Sequence, residues 1–114
     1  MANTFKNRTL RAVGTSPADV GAIVGTGVQT TLIGMTMANI TSGVINVTVQ
    51  LINHPSGGSA TTTHIVKDAP IPTGGSLVVL GGDQKVVLMT GDKIIVTSNT
   101  ASSVDVIMSF LEIT

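Results

Sequence analysis

A chain of 114 residues fits one domain with a single core, and with no Trp, no Tyr and only two Phe that core has to be aliphatic. Six basic residues cancel six acidic ones, and charged residues are 11% of the chain, about half the usual share of a soluble domain. These figures exclude a basic nucleic-acid face and an aromatic platform for stacking sugars or bases, and the lack of cysteine excludes disulfides and thiolate metal sites.

Residues 1–19 read as a polar extended arm. Lys6, Arg8 and Arg11 are half of the basic residues, no acid precedes Asp19, and Phe5, Leu10 and Val13 offer apolar anchors. The stretch lacks the apolar core of a secretory signal. It is either a solvated, frayed terminus or an arm that lies on a neighbouring subunit or an acidic partner surface, and we carry the arm forward. Lys6, Arg8 and Arg11 would project to one side and Leu10 to the other, leaving residues 20–114 as the folded domain.

Residues 20–24 are the first candidate strand, followed by a turn at Gly25-Thr26-Gly27. A long strand over 28–40 would place Ile33, Met35 and Met37 on one face and Leu32, Gly34, Thr36 and Ala38 on the other. Gly34 marks a bulge or a close backbone approach, and the methionines read as core. Residues 44–52 alternate most cleanly, with Ile45, Val47, Val49 and Leu51 opposite Asn46, Thr48 and Gln50, the pattern of a half-buried antiparallel strand. A loop at 53–60 leads to a strand over 62–67 that pairs back on it. Asp68-Ala69-Pro70-Ile71-Pro72 is expected to break regular pairing, because proline lacks the backbone donor.

Glycine-rich turns at 73–75, 81–83 and 90–92 then separate strands over 76–80, 84–89 and 93–98. The last strand, 103–114, carries Val104, Val106, Met108 and Phe110 on one face and Ile107, Leu111 and Ile113 on the other. Short strands with turns every eight to twelve residues predict an all-β sandwich or barrel of about eight strands. No segment keeps a helical period, and none approaches the roughly 18 apolar residues of a membrane helix.

The chemistry of an enzyme is not in view. His54 falls in a Gly/Ser loop and His64 at the start of a strand, and two histidines without a third ligand make no metal site. The acids are scattered, largely in turns. Gly25-Thr26-Gly27 opens no helix, and residues 81–85 lack the spacing of a phosphate loop. We therefore expect no catalytic residue, metal or cofactor, and neither nucleic acid nor membrane as a partner. The final strand, apolar on both faces, wants a second partner, and with a mean hydropathy of +0.48 this points to self-assembly. Ile107, Leu111 and Ile113, with Phe110 beside them, are the expected oligomer interface.

Three stretches, NTFKNRTLRAVGTS, LIGMTMANITSGVINVTVQL and the run from VKDAPIPTGG to SSVDVIMSFLEIT, resemble small virion proteins of tailed bacteriophages, particularly marine and cyanobacterial ones. The resemblance implies a single antiparallel β-sandwich, jelly-roll-like, assembled into trimers or other rings on the particle. It further implies a capsid decoration (cement) protein bound to major capsid or other virion proteins, assembled in the host cytoplasm. A neck, tail or fibre-base component is the alternative. A host-surface or glycan-binding module, using the loops at 53–60 and 68–75, is a third. Under this reading Phe5, Lys6, Arg8, Leu10 and Arg11 form the partner-docking arm.

Overall fold

Alternation builds the central strands. Ile45, Val47 and Val49 are buried in β4 (Ile45–Asn53), while Asn46, Thr48 and Gln50 between them are partly exposed, since successive strand residues point to opposite faces. The same period makes β8 (Lys93–Ser98) bury Ile94 and Val96, and β9 (Val104–Ile113) bury Val104, Val106, Met108 and Phe110. The other strands are β1 (Asn3–Val13), β2 (Ala18–Val20), β3 (Gln29–Asn39), β5 (Thr61–Ile71), β6 (Ser76–Leu80) and β7 (Val86–Leu88). This computed structural model describes residues 3–21, 24–53, 59–81 and 85–114, and among them there is no helix.

The strands form two antiparallel sheets. One runs β1-β9-β3, with β6 and β7 sharing the far edge of β3; the other runs β2-β8-β4-β5. Along the chain, β1 pairs with β9, β2 with β8, β3 with β6 and β7, and β4 with β5, so a doubled ribbon wraps around the core. The β3–β9 and β4–β8 pairings close it into two layers. This is jelly-roll connectivity, eight strands in two Greek keys, with one strand divided into β6 and β7.

Between the layers lies an almost wholly aliphatic core. Leu32, Met37, Val104 and Val106 from the first sheet and Val47, Val49, Ile94 and Val96 from the second are each 0% exposed. Met35 and Met37 are core, as expected. Two expected turns take the form in which glycine is needed. The Gly75 N–H donates to the Pro72 carbonyl and the Asp92 N–H to the Met89 carbonyl, with Gly74 and Gly91 at φ 70° and 92°.

Four expectations are revised. Leu32 faces inward with Met35 and Met37, because the β3–β9 register slips between Leu32 and Gly34 and shifts the alternation by one residue. Pairing does not stop at Asp68: β5 continues to Ile71, with Pro70 opposite Asn46. It can do so because β5 is an edge strand and Asp68, at φ 50°, sits where the β4–β5 register slips. The first strand of the second sheet is Ala18–Val20, ending where Gly21 turns at φ 82°. Ala22 and Ile23, from the expected strand over 20–24, lie outside the described residues, as do Gln84 and the loop residues 54–58 with His54. Finally, residues 3–13 of the expected arm are β1, in unbroken register with β9 from Asn3 to Leu10. The boundary expected at residue 19 falls inside β2.

Candidate assembly surface

Because β9 is an inner strand of the first sheet, its two faces meet different surroundings. Phe110 is 6% exposed in the core, whereas Ile107 on the opposite face is 55% exposed. Leu111 and Ile113 share the outward face with Ile107 and are half-buried. Of the four residues expected at an interface, three thus stand on one face of the sheet and Phe110 does not.

Strand register extends that face in both directions, since residues directly opposite one another in a ladder point the same way. Phe5 pairs with Leu111, Leu111 with Thr31 and Thr31 with Val87, giving one row across four strands. A second row runs from Thr9 through Ile107 and Thr36 to Val78. Phe5, Val78 and Val87 are 76%, 64% and 58% exposed, the apolar corners of this surface. Val78 and Val87 escape a reading of the sequence alone. Their signal is that Leu77-Val78-Val79-Leu80 and Val86-Val87-Leu88 are unbroken apolar runs, and a strand cannot point all of such a run inward.

Lys6 and Arg8 of the first strand do not share its outward face, whereas Arg11, two residues past Thr9, follows the outward phase. A period of two puts Lys6, Arg8 and Leu10 together, opposite Phe110, Met108 and Val106, so Leu10 is on the same side as the cations. Lys6 Nζ lies 3.0 Å from Glu112 Oε1, which gives it an acidic partner within the chain. Both side chains keep partial exposure, so the pair contributes at most about 1 kcal/mol. Arg8 reaches over Gly21 and lines, with Val20, Val24, Leu88, Met108 and Phe110, a cavity of about 100 Å³ at one end of the sandwich. Arg11 is exposed beside Ala12, whose positive φ of 53° accompanies a slip in the β1–β9 register. The Ala12 N–H donates to Asp105 Oδ1 at 2.8 Å.

On the second sheet, His64 and Gln50 stand opposite each other with Nε2 atoms 3.2 Å apart on the exposed side. Among the described residues no group of three or more His, Cys, Asp or Glu is placed to hold a metal ion.

No protein-family model matches the chain, and no curated protein matches it in sequence. Solved structures do. A chain of the Bacillus endospore appendages, a family of disulfide-linked pili, is 13% identical with a TM-score of 0.55, over 99% of this chain and 87% of that one. A chain of infectious bursal disease virus, Gx strain, is 10% identical with a TM-score of 0.54, over 96% of this chain. The match spans only 32% of the viral chain, about a third of its length. At such identities the likeness is one of fold.

Proposed function

We propose that the protein is a non-enzymatic structural subunit of a virion, a decoration protein that self-associates and reinforces contacts between shell subunits of a tailed bacteriophage. The observation that carries this reading is the outward face of the first sheet, where apolar side chains from several strands converge on one surface. Such a surface favours association over solvent. The likeness of fold to a viral chain and to a pilus chain supports a role in assembly, and the resemblance in sequence supports the phage particle as its place. Binding across joints in a shell stabilises the assembled state by mass action. Electron microscopy of particles carrying the labelled protein tests this. Label spread over the capsid is expected, and label confined to the tail contradicts the decoration role in favour of the neck, tail or fibre base.

The pilus likeness favours a second reading, a filament subunit, because it covers nearly all of both chains. This chain has no cysteine, so its filaments would be held by non-covalent contacts. Negative-stain images of the concentrated protein separate the two: open fibres support the filament, closed particles of fixed size the decoration protein.

A further inference from the structure

We infer that the outward face of the first sheet packs against the same face of a second copy, about a two-fold axis that lies in the interface and crosses the strands. The inference rests on the reading of the protein as a self-assembling subunit and names the contact it uses. Three observations point to a second copy as the occupant.

The first is charge. Along β1, β9 and β3, the residues in the two rows and the outward-pointing ones between them, such as Asn7 and Ser109, are uncharged. Arg11, Asp105 and Lys85 stand at the margins. In a two-fold contact any charge near the axis meets its own copy, so a face meant for itself has to be neutral at its middle.

The second is register. The axis lays one row of one copy over the other row of its partner, strand on the same strand. Leu111 then meets Ile107, Val87 meets Val78 and Thr31 meets Thr36. Three columns out of four match like with like, and only Phe5 meets a threonine, Thr9. Ser109, midway between Ile107 and Leu111 on β9, falls close to the axis.

The third is area. Three strands about ten residues long, with β6 and β7 together at a fourth position and all spaced about 4.8 Å apart, give a face of about 600 Å². Two such faces bury about 1,200 Å², the lower bound of stable specific interfaces.

Light scattering on the full-length chain tests the contact, using wild type, Ile107→Asp and Val44→Asp. Val44 is a 64% exposed valine in the connection between β3 and β4, outside the face, so its variant adds the same charge elsewhere. The wild type and Val44→Asp are expected to have the mass of two chains. Ile107→Asp, with its melting temperature unchanged, is expected to fall to one, its association weakened about a hundredfold or more by an unpaired buried carboxylate.

A second variant guards against misfolding of the first. Ser109→Cys places a single thiol in a cysteine-free chain, and a short bismaleimide should link two copies through it but not through Thr61→Cys on the edge of the other sheet. A two-chain mass that survives Ile107→Asp, a wild-type mass of one or three chains, or no cross-link through residue 109 overturns the inference. Label on the capsid would leave the decoration role itself standing in each of those cases.

Discussion

Asn39 is a polar residue, 5% exposed, at the end of an apolar strand, and its side chain saturates its hydrogen-bonding capacity. Its amide donates to the carbonyls of Gly43 at 2.8 Å and Ile71 at 2.9 Å, while its oxygen accepts from the N–H and hydroxyl of Thr41, both at 2.8 Å. One side chain thereby ties the β3–β4 connection to the end of β5. Replacing it by alanine strands several of these partners, and buried groups without partners cost more than a made bond contributes. Asn39→Ala is expected to lose about 2–3 kcal/mol of stability, read from the midpoint of urea unfolding. A loss under about 0.5 kcal/mol would show that solvent takes over these bonds and that the network is incidental. The sequence carries no sign of this role, because an asparagine beside a Thr-Ser-Gly turn looks like ordinary turn chemistry.

At the scale of elements, β1 decides what the first residues are for. Its eight consecutive pairings with β9 make it the outer strand of a four-deep layer, and Val13 at its end is 5% exposed. Deleting residues 3–12 bares the edge of β9 and half of the Phe5–Leu111 pair. Such a deletion is expected to lower the unfolding midpoint and promote aggregation through the open edge; unchanged melting and solubility would mean that the strand is only a loosely held terminus. The composition of this stretch, polar with three cations, hides its strand character, because an edge strand buries little and keeps Lys6 and Arg8 at the rim. Strands with a buried face were legible: Ile45, Val47 and Val49 in β4 and Ile94 and Val96 in β8 follow a plain two-residue alternation. Register was not legible. The slip at Leu32 and Gly34 turns one residue from the outer face to the core, and only the paired strand shows on which side of the bulge the phase changes. Likewise Ile107 and Leu111 could be read as outward from β9 alone, whereas Phe5, Val78 and Val87 join them only through pairing that the chain does not announce.

For the whole molecule, sparse charge and a jelly-roll framework fit one another. A sandwich of this size has two outer faces, and the first presents Phe5, Ile107, Leu111, Val78 and Val87 with no charge in the rows that hold them. Covering that face removes apolar surface from water, contributing roughly 25 cal/mol for each Å² buried before the cost of association. A protein so built gains most when many copies are held side by side on a larger body, where weak contacts reinforce one another. Under the decoration role proposed above, the measurement closest to this claim is the temperature at which phage particles stripped of the protein would release their DNA, recorded as purified protein is added back. The release temperature is expected to rise with protein concentration and to level off once the particle sites are filled. Folded protein that leaves the release temperature unchanged at every concentration would contradict it.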